Sequence, residues 1–445
     1  MVDSAKTEIE TEIKTEAGLK REISRLGFAA ISLNGVIGAG IFALPAVAAA
    51  AAGLFSPWLF LICSLMIMTV VLSMARAASF FTGTGGPLTY VSHAFGPFAG
   101  FQVGWLYAFS RVAALAANIN LLLTYAAWFW PPLGQGLARQ IALTLMCAFL
   151  TWVNAVGLRK GMQAIFVFTL LKLLPLTLVV LLGMTRLNPE VFTGAGLPAF
   201  DSLGETLLVL LYAFVGFEGA VVPAGEAKNP QRDIPRALVS SVIAITVLYV
   251  AIQIVVVSVL PEAASSKTPL IDVSLVLMGS AGAYLMAAGA VFSIGGNCSS
   301  IMFAGPRLVY AMSRQDLLPR WFGVIHQRYG TPANATLFVG CLALFLSLSG
   351  SFIWLAAMST VVRLLAYAAC ILALPRLQTA PQHDARPFEL PGGYLIPLLA
   401  LILCTWLMTF ASAQSWLTTA LFSAIGSAFY FTTRKLRQAS HPPVP

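Results

Sequence analysis

Two glycine-rich stretches interrupt apolar runs that would otherwise read as continuous membrane helices. The first is Asn34-Gly35-Val36-Ile37-Gly38-Ala39-Gly40-Ile41-Phe42, with three glycines in six residues. The second is Phe214-Val215-Gly216-Phe217-Glu218-Gly219. An interior glycine costs a helix about 1 kcal/mol relative to alanine, so both stretches predict a break. In lipid, broken backbone is tolerated only where its freed N–H and C=O groups face protein, water or ligand. Alone, the first stretch reads equally well as a close helix crossing, because small residues line such contacts. The second stretch weighs against that reading: paired breaks at corresponding positions point to a transporter site. Free amides at a break suit a carboxylate and free carbonyls suit an ammonium. A zwitterionic amino acid presents both groups. The residues expected to line such a site are Val36, Ile37, Gly38, Ala39 and Gly40 with Tyr212, Phe214, Val215, Gly216 and Phe217.

Four charged residues fall inside the apolar runs. Lys172 lies in Leu170-Leu171-Lys172-Leu173-Leu174-Pro175, too deep to reach water easily. A charged lysine at mid-membrane is costly, and desolvation penalises the ammonium form. It reads as a proton carrier, as a fixed cation in place of sodium, or as a tether to the carbonyls freed around Gly35. Glu218 reads as a proton sensor, or as an acid that caps free amides, paired with a cation such as Arg111. Arg111 and Arg363 do not release protons usefully. They are expected to pair with Glu218 or with helix-end carbonyls; the sharper alternative is recognition of an acidic solute. Arg363 lies about as deep in its run as Lys172, so the two would each brace one break.

The elements that must hold these residues follow from composition. Of 445 residues, 58% are hydrophobic and 10% charged, where soluble domains carry about 25% charged residues. The runs are continuous rather than alternating, which excludes a β-barrel and leaves an all-α integral membrane bundle. Spans are expected at 27–50, 55–79, 98–130, 136–156, 161–184, 203–227, 236–260, 280–313, 333–350, 352–375, 393–412 and 415–433. Gly85 to Pro97 reads as an amphipathic or re-entrant piece, too short to cross. The chain then divides into a tail 1–24, a first repeat 25–184, a second repeat 185–378, two further spans within 379–435 and a tail 436–445. Of 26 Lys and Arg, 20 fall on the segments assigned inside and 3 (Arg139, Arg186, Lys267) on those assigned outside. That asymmetry predicts both termini in the cytoplasm of an inner-membrane protein.

Other function classes find little support. The six cysteines lie in apolar runs without a CxxC pair, so no metal site is indicated. No cofactor is called for. No P-loop appears, and the net charge of +9 belongs to helix flanks rather than to a nucleic-acid surface. An integral-membrane enzyme would need clustered acid–base and nucleophilic groups, and the spans hold none. The polar first residues lack the pattern of a signal peptide.

Several stretches resemble the amino acid–polyamine–organocation superfamily of permeases. They are Gly35 to Phe42; Gly85-Gly86-Pro87 with Tyr90; Phe95-Gly96-Pro97 ahead of Gly100-Phe101; Gly104-Trp105; and Gly216-Phe217-Glu218. Glu226-Ala227-Lys228-Asn229-Pro230-Gln231-Arg232-Asp233-Ile234-Pro235 follows, then Arg307, Ala311-Met312-Ser313-Arg314 and Leu317-Leu318-Pro319. Gln315-Asp316 departs from the Asp-Gly usual there. The resemblance runs from about 24 to 435. It implies a five-plus-five inverted repeat of the leucine-transporter type with two added C-terminal helices. It also implies alternating access and an α-amino acid held between spans one and six under an aromatic lid, for which Tyr212, Phe214 and Phe217 are the candidates. In proton-coupled relatives a lysine at this place in span five lies against the broken span one. The expected function is secondary, sodium-independent and proton-linked amino acid transport, with an exchanger or exporter as the alternative. Ser293, Ser299 and Ser300 of span eight are the hydroxyls that a sodium site would need.

Overall fold

The computed structural model describes residues 24–81, 86–156, 162–193, 196, 203–221, 227–379, 388–390 and 392–440. Gly85, Glu226, almost all of the N-terminal tail, the end of the C-terminal tail and residues 380–387 and 391 lie outside them. The first span is two helices, Arg25–Val36 and Gly40–Ala52, parted at residues 37–39. The second is Ser56–Ala78, followed by the short helix Pro87–Phe95. Spans three to five are Pro97–Ala126, Gly136–Val156 and Met162–Gly183. The sixth runs from Leu203–Leu210 through 3₁₀ turns Leu211–Ala213 and Phe217–Ala220. The seventh to tenth are Pro230–Val259, Pro269–Arg314, Ala333–Ser349 and Phe352–Thr379. Leu395–Met408 and Ala413–Ser440 complete the series and meet at a bend of 110°.

Among the described residues, length and hydropathy alone qualify 7 stretches as spans, one of them the run Gly40–Ala78 that joins parts of the first two. Ala333–Ser349, with 17 residues, is apolar but shorter than these. One start differs from the sequence reading by more than a turn. Span seven begins at Pro230 rather than 236, because the Asn229 carbonyl accepts from Arg232 N at 3.1 Å and Asp233 N at 2.8 Å. The charges read as loop therefore sit on its first turns. Pro269–Arg314 is two helices that meet at Gly279, whose φ of 67° and ψ of −162° are not helical, so the crossing helix of span eight begins at residue 280, as read from the sequence. Asp316, where Asp-Gly was expected, takes a left-handed φ of 59°, a conformation aspartate tolerates better than most residues.

The third span forms the axis of the bundle, buried along most of its length and packed chiefly against the eighth and tenth. The seventh packs against the first and second. Trp105 anchors the twelfth span by donating from Nε1 to the Phe422 carbonyl at 2.8 Å. The fourth span instead exposes Leu137, Ile141, Leu145, Phe149 and Trp152. Steps of four or three place these on one face of a helix, an apolar stripe suited to lipid.

Candidate functional site

The first span loses its helix at Ile37, whose N–H makes a last helical bond to the Leu33 carbonyl at 2.9 Å. Four carbonyls around the break find partners on other spans. Asn297 Nδ2 donates to Asn34 O at 3.1 Å and Gly35 O at 3.2 Å. Tyr249 donates its hydroxyl to Val36 O at 3.4 Å. Lys172 Nζ donates to Ile37 O at 2.8 Å, to Asn34 Oδ1 at 2.7 Å and to Asn34 O at 3.4 Å. Spans five, seven and eight thus supply the donors that lipid cannot. Beyond the break, the helix Gly40–Ala52 starts without a side-chain cap and its Phe42 N–H bonds back to the Ala39 carbonyl at 3.1 Å; the amides ahead of it, from Ala39 to Ile41, are placed to meet an anion. Val36, Ile37 and Ala39 are buried beside it.

The break in span six lies against the first. Gly216 takes φ 113°, a left-handed conformation open to glycine. Glu218 is fully buried and folds back onto it: Oε2 accepts from Gly216 N at 2.9 Å and from the Tyr367 hydroxyl at 2.8 Å. Arg363 Nε lies 3.1 Å from Glu218 Oε1, at ion-pair distance but without hydrogen-bond alignment. Of the two arginines that the sequence offered to Glu218, the cation beside it is therefore Arg363, and the pairing with Arg111 does not form. Arg111 Nη1 donates instead to the Tyr107 hydroxyl at 3.1 Å; it lies one turn along span three from Tyr107, whereas Arg363 and Tyr367 lie on adjacent turns of span ten, beside Glu218.

A polar chain joins the two breaks. Asn118 Nδ2 donates to Asn297 Oδ1 at 2.7 Å, and the Tyr212 hydroxyl donates to Asn118 Oδ1 at 2.8 Å. Sequence reasoning passed over Asn118, Asn297 and Tyr367, although an asparagine deep in an apolar run is itself a signal. The three aromatics of span six diverge. Phe214 packs on Phe60 and Tyr249 at centroid distances of 6.3 and 5.3 Å. Phe217 lies 5.5 Å from the Tyr367 ring. Tyr212 sets its edge against Phe352 and its hydroxyl in the polar chain. Val215 is buried. Of the span-eight hydroxyls, Ser300 accepts from Asn34 Nδ2 at 3.4 Å, Ser299 bonds its own helix and Ser293 is buried without a partner.

Residues 23–433 match the model of a family described as amino acid permease. The chain belongs to the amino acid permease family. Similar proteins include the branched-chain amino acid permease BcaP of Bacillus subtilis, 26% identical over 94% of this chain and 93% of that protein. The serine/threonine exchanger SteT of the same organism is 26% identical over 86% of this chain and 89% of its own length. A methylthioribose transporter of Bacillus subtilis is 25% identical over 93% of both chains. The permease is thus a multi-pass membrane protein with the fold of about twelve transmembrane helices, a transporter of the amino acid class and not an enzyme.

Proposed function

We propose that this permease is a secondary active transporter that moves amino acids across the cytoplasmic membrane by alternating access, driven by protons and independent of sodium. The observation that carries this reading is the fully buried Lys172 amine, 2.8 Å from the Ile37 carbonyl and 2.7 Å from Asn34 Oδ1. A sodium ion cradled by the same break would stand a few ångströms from the ammonium, where like charges repel strongly in a low dielectric. Lys172 takes the place of that ion. On giving up its proton it loosens its hold on Asn34 and Ile37, which couples the break to protonation.

The substrate lies between the two breaks, its carboxylate on the amides from Ala39 to Ile41 and its ammonium on freed carbonyls. Val36, Ile37, Ala39, Val215 and Gly216 line the space. Tyr212 is the lid, while Phe214 and Phe217 are packing residues. Glu218 and Arg363 hold the sixth-span break in shape. Both termini face the cytoplasm. Exchange of one amino acid for another is the second reading, favoured by the similarity to a protein named as a serine/threonine exchanger.

Reconstituted vesicles test this. An inward proton gradient should stimulate amino acid uptake, a sodium gradient should not, and Lys172→Ala should cut transport strongly. Uptake that needs amino acid inside the vesicle, whatever the proton gradient, selects exchange. Strict sodium dependence with a fully active Lys172→Ala would overturn the coupling.

A further inference from the structure

Arg111 is a second cation at the site, and the coupling scheme does not use it. Glu218 is already satisfied by Gly216, Tyr367 and Arg363. Among the described residues no carboxylate lies at ion-pair distance from Arg111. Its Nε is buried without a hydrogen-bond partner. Its Nη1 meets only the Tyr107 hydroxyl and lies 3.9 Å from where a Cβ on Gly219 would stand, against the broken span six.

The position is also suggestive. Tyr107, Arg111, Ala114 and Asn118 recur at helical spacing on one face of span three. Ala114 and Asn118 are the residues that hold the Tyr212 hydroxyl. Arg111 thus stands one to two turns, up to about 10 Å, from the lid along the same face. An uncompensated guanidinium inside a membrane protein is costly, and a carboxylate meets its fork with two parallel bonds. The Tyr107 hydroxyl accepts from Arg111, which leaves its own proton free to donate to the same anion.

We propose that Arg111 and Tyr107 form a side-chain subsite, and that the preferred substrates are amino acids with a second carboxylate. The substrate brings the anion that the protein lacks. This rests on the proposed site between the breaks.

The test is competition against labelled amino acid uptake in vesicles, with thermal stabilisation in detergent as the binding readout. Glutamate and aspartate should bind at least about tenfold more tightly than glutamine and asparagine, the scale of a charge-assisted hydrogen bond. Arg111→Gln should collapse that ratio, and Arg111→Lys should restore part of it. Tyr107→Phe, which keeps the ring, should shrink the ratio and covers the case in which Arg111→Gln does not fold. Equal competition by glutamate and glutamine in the unaltered protein overturns the subsite, as does an unchanged ratio in Arg111→Gln. Binding of neutral amino acids alone defeats only this inference; no amino acid binding at all defeats the transport reading beneath it.

Discussion

Gly35 and Gly216 meet backbone to backbone: a Cβ on Gly216 would lie 2.4 Å from the Gly35 carbonyl oxygen, and one on Gly35 2.7 Å from that of Gly216. The two broken spans touch where neither can carry a side chain. Gly216→Ala meets both this clash and the left-handed φ of 113°. It should lower stability by about 2 kcal/mol or more, read as a lower melting temperature in detergent. An unchanged melting temperature would mean that the breaks can slide apart freely.

Gly38 borders the polar chain instead of the other break. A Cβ there would sit 3.2 Å from Asn297 Cγ, and a larger side chain must displace Asn297 from Asn34 and Gly35. Gly38→Leu should abolish solute binding in a protein that still inserts and elutes as a single species. Unaltered affinity would return this glycine to simple helix packing.

Lys172→Met keeps the length of the side chain and removes its three donated bonds. Asn297 still holds the Asn34 carbonyl, but leaving Asn34 Oδ1 and the Ile37 carbonyl unpaired should cost about 1–3 kcal/mol, and transport should fall far more than expression. A stable and fully active variant would show that the amine neither braces the break nor carries the proton.

Removing one partner of a buried ion pair costs about 3–5 kcal/mol, because the other charge is left unpaired. Glu218→Gln should therefore be clearly destabilised, and the double variant Glu218→Gln with Arg363→Gln should recover much of the loss. Additive losses would show that the two side chains are not coupled. Transport by the double variant should keep the pH profile of the unaltered protein. A flattened profile in a well-folded Glu218→Gln would make Glu218 the proton sensor.

The sequence by itself determined the membrane class, nearly every span and both breaks. These depend on local properties: the length of an apolar run and the cost of glycine inside it. It also marked Lys172, Glu218, Arg111 and Arg363 as charges needing partners, since burial in lipid is costly for any of them. The start of span seven was hidden because polar residues lower the hydropathy of turns that Pro230 nonetheless begins. Only the tertiary structure decided the pairings. Arg363 rather than Arg111 reaches Glu218, Asn297 reaches back to Asn34 and Gly35, and Tyr212 rather than Phe214 or Phe217 joins the polar chain. Each pairing joins different spans, and the rotation of one helix against another sets which side chain arrives. No local run of residues encodes that rotation; it follows from how all the spans pack together.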